Sequence, residues 1–103
     1  MKLGEKLKKL RKDKKFTLEE LAEIAGPSKS YIWELENKNP PKPSADTLLK
    51  LANALDVTLD YLLDTENEIS EGDAIDAKFY RRYQKMDSKT KEKIRDMIDI
   101  WDD

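Results

Sequence analysis

Hydrophobic positions in the first 37 residues recur at helical spacing and fall into three short segments. The first segment carries many lysines around its leucines, predicting an amphipathic helix that ends near Asp13. The second and third segments are shorter and lie on either side of Gly26. Their inward apolar positions are Leu3, Leu7 and Leu10, then Leu18, Leu21, Ala22 and Ala25, then Ile32 and Leu35.

Capping and breaking residues indicate where these helices begin and end. Thr17 followed three residues later by Glu20 fits a capping box at the start of the second helix. Gly26 and the proline after it end that helix, because glycine tolerates a positive φ and proline disfavours helix in the residue before it. Ser28 is a suitable N-cap for a third helix that reaches about Asn37.

Two further helices are predicted after a proline-rich loop at residues 39–43. Ser44 caps the fourth helix and Thr58 caps the short fifth one, and both carry leucines at helical spacing. Five short helices, without the alternation typical of a strand, predict an all-α domain over residues 1–63.

The remainder of the chain is predicted to be an acidic linker at 64–72 and a helical pair at 73–103. The linker contains four acidic residues and no Lys or Arg. Asp87 and Ser88 mark the break between the two helices, which are too small for a core of their own. We expect them to close a dimer or dock a partner protein, and the alternative is that they fold back on their own domain. The candidate contact residues are Phe79, Tyr83, Met86, Ile94, Met97, Ile98 and Trp101.

The net charge of −2 conceals a polarity along the chain. Residues 1–43 contain 11 Lys/Arg against 7 Asp/Glu, a net +4, and residues 44–103 contain 9 against 15, a net −6. A basic front half is suited to phosphates, while the acidic back half stays away from them. Chance is the alternative explanation, because 41% of the residues are charged.

The composition argues against an enzyme, a metalloprotein or a membrane protein. The absence of Cys and His excludes disulfides, Cys/His zinc sites and histidine general bases. The three glycines are too scattered for a phosphate loop, and no serine lies in a nucleophile elbow. No apolar run approaches the ~18 residues of a membrane span, and there is no signal peptide pattern. We expect a cytoplasmic protein without cofactors or metal ions.

Residues 17–37 have the pattern of a helix-turn-helix, in which a second helix presents a polar outer face. Lys29, Ser30, Trp33, Glu34 and Asn37 fall together on that face. The major groove admits such a helix, although any surface helix has a polar outer face. The exposed tryptophan has three explanations: contact with bases or sugars, a partner protein, or packing against a terminal helix.

The chain resembles the Cro/CI-type (XRE) helix-turn-helix family over about residues 3–63. The resemblance lies in the runs 17–22 (TLEELA) and 26–28 (GPS), in Ile32, Glu36 and Asn37, and in the run 48–63. It implies a five-helix, lambda-repressor-like domain that binds operator DNA as a dimer through the third helix. Leu18 departs from the glutamine usual in the family, and Pro27 and Trp33 are also atypical.

The same resemblance assigns roles to individual residues. The base-reading positions are Lys29, Ser30, Trp33 and Glu34. The positions that contact the DNA backbone are Ser28, Asn37, Lys38 and Lys42. Arg11 and Glu36 occupy positions that form a structural ion pair in many members, so Glu36 is interpreted as scaffold.

The overall layout also resembles that of a biofilm repressor of this family, whose terminal helices mediate dimerisation and antagonist binding. The predicted function is therefore a sequence-specific transcriptional regulator, a repressor that binds a palindromic operator in double-stranded DNA as a homodimer. The further partner expected is an antagonist protein or a toxin. The alternative is an antitoxin or adaptor whose C-terminal helices bind another protein, with DNA binding only for autoregulation.

Overall fold

The computed structural model describes residues 1–38 and 43–102, and within them all regular structure is α-helical. The seven helices are α1 Leu3–Asp13, α2 Leu18–Ala25, α3 Lys29–Asn37, α4 Ala45–Ala54, α5 Leu59–Leu63, α6 Glu71–Gln84 and α7 Ser88–Trp101. The predicted all-α class and the five helices before residue 64 are confirmed. In the described part of the chain, no helix is both long and apolar enough to cross a membrane.

Side-chain caps start α2 to α5 where the sequence predicts them. Thr17 forms a reciprocal capping box at α2, and Ser28 accepts a hydrogen bond from a backbone N–H of α3 at 3.1 Å. Ser44 and Thr58 cap α4 and α5 in the same way. Each cap contributes about 1 kcal/mol. Gly26 ends α2 with a φ of 100°, the conformation that its position predicts.

The core forms where α1 packs on α3 and α5, and α2 packs on α3 and α4. Ile32 and Leu35 of α3 point inward, as their spacing predicts. Their burial leaves the opposite side of α3 facing outward. The buried hydrophobic residues of these helices and of the turn between α4 and α5 are Leu7, Leu10, Leu21, Ala25, Ile32, Leu35, Leu48, Leu51, Ala52, Leu55, Val57, Tyr61 and Leu62.

Lys6 is buried, whereas its place among the lysines of the first helix suggested a surface position. Only 2% of the residue is exposed. Its ammonium donates to the backbone carbonyl of Tyr61 at 2.6 Å and also to that of Asp64, and lies 4.3 Å from the centre of the Tyr61 ring. A lysine can be buried in this way because carbonyls at the end of α5 lack helical partners and accept its protons. Lys6 therefore joins α1 to the end of α5.

The segment after α5 is held against the domain. The carboxylate of Asp64 accepts the backbone N–H of Ile69 at 2.8 Å, and Ile69 packs on the core. Helix α6 begins at Glu71, two residues before the predicted start of the C-terminal pair, and Ala74 is 1% exposed. Ion pairs flank this contact, Lys9 with Glu71 at 3.0 Å among them. The division of the chain into units at 63 and 72 stays a prediction.

Candidate nucleic-acid interface

Helices α2 and α3, joined by the turn at residues 26–28, present one continuous outer face. The face lies opposite the buried Ile32 and Leu35, so the core itself determines which side of α3 is available. The predicted residues on it are all exposed: Lys29, Ser30, Trp33, Glu34 and Asn37. Trp33 is 44% exposed, an unusual position for a large aromatic side chain.

The residues predicted to contact the DNA backbone lie at the two ends of α3. Ser28 uses its side-chain oxygen as the N-cap, which places it beside the positive end of the helix dipole. At the other end, the Asn37 amide donates to the carbonyl of Trp33 at 3.0 Å. Lys38 lies with its ammonium 5.3 Å from the centre of the Trp33 ring. Lys42 lies outside the described residues.

Glu19 of α2 also belongs to this surface, although it was not among the predicted site residues. Its carboxylate binds the Lys29 ammonium at 3.0 Å, with both side chains well exposed. The two residues lie on consecutive helices, so neither helical periodicity nor a motif connects them. The pair partly neutralises the charge of Lys29, the first residue of α3.

Arg11 and Glu36, which the resemblance pairs, form a bidentate ion pair between α1 and α3. The Arg11 guanidinium donates to the two carboxylate oxygens of Glu36 at 2.7 and 2.9 Å, and to the carbonyl of Phe16 at 2.9 Å. The Glu36 side chain is only 1% exposed. The hydrogen bond with Glu36 raises the pKa of Arg11 above its ordinary value. The pair fixes α3 against α1 from within, so Glu36 is not available to DNA.

A shallow concavity lies between the first turn of α2 and the outer face of α3. Its lining residues are Leu18, Lys29, Ser30, Trp33 and Glu34. Leu18 is half-buried and packs against the core. Leu18, which replaces the glutamine usual in the resembled family, therefore adds an apolar side chain to the outer surface.

Much of the apolar surface of α6 and α7 is exposed. Phe79, Met97, Ile98 and Trp101, four of the residues expected to contact a partner, are exposed in the single chain. Tyr83, Met86 and Ile94 are half-buried. Three further hydrophobic residues of these helices, Ile75, Tyr80 and Ile100, are also exposed.

Tyr83 has a role inside the helical pair. Its ring stacks with that of Phe79 at 6.4 Å between centroids. Its hydroxyl accepts a hydrogen bond from Arg95 of α7 at 2.7 Å, and the Lys91 ammonium lies 5.5 Å from the ring centre. Tyr83 thus joins α6 to α7, while Phe79 beside it is exposed.

The sequence matches known proteins over most of its length. Residues 4–68 match the family model described as a helix-turn-helix domain. The HTH-type transcriptional regulator SinR of Bacillus subtilis is 32% identical over 99 residues, covering 94% of this chain and 89% of SinR. The immunity repressor protein of Bacillus phage phi105 is 33% identical over 95 residues, covering 92% of this chain and 63% of the repressor.

Solved structures show the same relationship. SinR in complex with DNA is 42% identical, with a TM-score of 0.58 over 60% of this chain and 98% of that chain. The complex of SinR with SinI is 31% identical, with a TM-score of 0.60 over 94% of each chain. The predicted likeness to a biofilm repressor is confirmed by these matches. This chain belongs to the Cro/CI-type (XRE) helix-turn-helix family of transcriptional regulators.

Proposed function

We propose that this protein is a sequence-specific DNA-binding repressor that occupies a palindromic operator as a homodimer. The observation that carries the proposal is the exposed polar face of α3, held in place by the buried Arg11–Glu36 pair. The match to a SinR structure with DNA and to a phage immunity repressor supports it. We propose that the protein acts in the cytoplasm and has no catalytic role.

In this proposal, α3 enters the major groove and its first two turns read base edges. Lys29 donates to guanine or to a phosphate, and Glu34 accepts from cytosine N4, because these are the groups that each side chain matches. Each good base contact discriminates by about 1–3 kcal/mol. Ser28 and the N-terminal end of α3 are suited to a phosphate, and Asn37, Lys38 and Lys42 extend the backbone contacts.

We infer that the exposed apolar side of α6 and α7 forms the dimer interface. It carries Phe79, Met97, Ile98 and Trp101, and aromatic and methionine side chains are enriched at such interfaces. Pairing two chains there gives the complex two reading helices. A two-fold symmetric protein then requires half-sites about 34–36 Å apart, or a multiple of that distance.

The same surface is proposed to bind a protein antagonist that competes with dimerisation. The similarity to a SinR–SinI complex extends over 94% of this chain and so includes α6 and α7. A partner that covers the apolar side of these helices would separate the two chains, and with them their two DNA-binding domains. Because one chain holds only half of a palindromic site, its affinity for the operator would fall.

Gel shifts with DNA from just upstream of this protein's own gene test the proposal. We expect a sequence-selective complex that weakens as salt rises, because phosphate contacts release counterions. The double variant Lys29→Ala/Trp33→Ala should lose it. The control Lys50→Ala/Ile24→Ala removes an exposed lysine and an exposed apolar residue from a different surface, between α2 and α4, and should bind normally. A selective complex unaffected by the first variant would refute the role of α3.

Analytical ultracentrifugation tests the dimer interface separately. Wild type should sediment as a dimer, and Ile98→Lys should be monomeric because it places a charge in the apolar contact. Since no residue of α7 is buried in the single chain, this variant should still fold. Asp96→Lys puts a lysine on the exposed polar side of α7, with a larger change in net charge than Ile98→Lys, and should remain dimeric. A dimeric Ile98→Lys protein would contradict the assignment.

A further inference from the structure

We propose that the concavity formed by Leu18 and Trp33 holds the C5-methyl group of a thymine in each operator half-site. The inference rests on the proposed function, because it places α3 in the major groove. It adds a specificity-determining contact at a defined position: apolar readout of one base by a residue of α2 together with one of α3.

The two apolar residues lie on the reading surface between its polar groups. Leu18 and Trp33 line the concavity together with Lys29, Ser30 and Glu34. Leu18 is half-buried against the core, so its position is fixed, whereas Trp33 extends from α3 with 44% of its surface exposed. The concavity is thus lined by one apolar side chain in a fixed position, Leu18, and by one large exposed apolar side chain, Trp33.

The cations nearest the concavity have other partners in the free protein. The Lys29 ammonium is bound to Glu19 at 3.0 Å. The Lys38 ammonium lies 5.3 Å from the centre of the Trp33 ring, within the range of a cation–π contact. The apolar surfaces of Leu18 and Trp33 are therefore left without a counterpart of their own kind.

The major groove offers one apolar counterpart. Guanine, adenine and cytosine present only donors and acceptors there, and thymine adds a methyl group. Pressing an apolar wall against a polar base edge would remove that edge from water without a hydrogen bond, which is unfavourable. Seating a methyl group instead removes apolar surface on both sides, and this difference selects thymine over cytosine at the same position.

The expected loss of affinity is small for one half-site. For the whole palindrome, the loss of binding free energy should double. Removing one buried methyl group should weaken binding about fourfold. Removing it from both half-sites should weaken binding about 15-fold, provided that the two sites contribute independently.

The test replaces each thymine of the operator by deoxyuridine, which differs only by the lost methyl group. The operator is the duplex recovered with wild-type protein, and affinities are measured by fluorescence anisotropy with the full chain. Wild type should lose about fourfold at one thymine position in each half-site. Leu18→Ala and Trp33→Ala should each bind thymine and deoxyuridine equally at that position. Ile24→Ala, an exposed apolar substitution on the same helix as Leu18, should keep the wild-type response.

Two results would overturn the inference while leaving the proposed function intact. One is selective operator binding in which deoxyuridine has no effect at any position. The other is a methyl-sensitive thymine whose sensitivity survives in Trp33→Ala. This variant should fold even if Leu18→Ala does not, because Trp33 lies outside the core and Leu18 packs against it. Failure to select any duplex would instead refute the proposed function, and this inference with it.

Discussion

Replacing Gly4 with alanine should destabilise the domain, although alanine is the better helix former. Gly4 lies in the first turn of α1, where that helix crosses the backbone at the end of α3. An alanine Cβ would lie well inside van der Waals contact of the Leu35 carbonyl oxygen, and 3.1 Å from that of Glu36. Both atoms are backbone, so α3 must move as a unit to make room.

The expected cost follows from two opposed effects. Overpacking of this kind costs about 1–3 kcal/mol. Alanine regains at most about 1 kcal/mol of helix propensity, and less near a helix end. The net loss of about 1–2 kcal/mol should lower the melting temperature by roughly 5–15 °C for a domain of this size.

Thermal unfolding followed by circular dichroism at fixed protein concentration measures the effect. Gly72→Ala is the matched control, because a Cβ at Gly72 meets nothing within 4 Å and the residue lies in the first turn of α6. This variant should be as stable as wild type or slightly more so. If Gly4→Ala matched Gly72→Ala, the close approach of α1 to α3 would be refuted.

Glu36→Gln should destabilise the protein by about 3 kcal/mol in urea unfolding, because it leaves the Arg11 guanidinium without its charged partner in a largely buried site. Glu19→Gln should strengthen operator binding about two- to fivefold at low salt and less at high salt, because it releases the exposed Lys29 ammonium. The hydrogen bond from a backbone N–H lowers the folded-state pKa of Asp64 below the ordinary value of 3.8. The Asp64 carboxylate therefore contributes to folding stability above about pH 4, and this contribution is lost as the pH falls through the lower pKa. In urea unfolding at different pH values, Asp64→Asn should lack this loss of stability.

Each of these outcomes has a control and a contrary result. Glu23→Gln removes a carboxylate from the same helix as Glu19 and should affect affinity less, because it lies near Lys50 on the other surface. If both variants bound equally well, the ion pair would be unimportant for binding. Asp99→Asn, an exposed change on α7, should keep the wild-type pH profile. A Glu36→Gln protein as stable as wild type would show that the ion pair does not hold α3.

The sequence predicted the elements whose signals are local. Helix α2 begins at the capping box of Thr17 and Glu20 and ends at Gly26, which has a positive φ. Each of these signals lies within a few residues of the helix end that it predicts. The inward positions Ile32 and Leu35 then determined the outer face of α3 by periodicity alone. The same local pattern was enough to place Trp33 on the exposed side.

Contacts between distant residues were harder to predict from the sequence. Periodicity assigned Lys6 to a polar position, but only the folded chain shows that the end of α5 covers it. The pairing of Glu19 with Lys29 likewise depends on how α2 and α3 cross. Ala74 carries no strong signal as a small residue in an acidic region, yet its burial seats α6 on the domain. These contacts depend on how the helices pack against one another, which the spacing of hydrophobic residues does not predict.

Selection from a random duplex library tests most directly whether α3 reads DNA sequence for a two-fold dimer. Full-length protein should enrich palindromic sites whose half-site centres lie about one helical turn apart, or a multiple of that distance. The Lys29→Ala/Trp33→Ala protein should enrich no such motif, whereas Lys50→Ala/Ile24→Ala should enrich the wild-type one. Folded dimeric wild-type protein that enriches no sequence, or a double variant at Lys29 and Trp33 that enriches the same motif, would contradict the account.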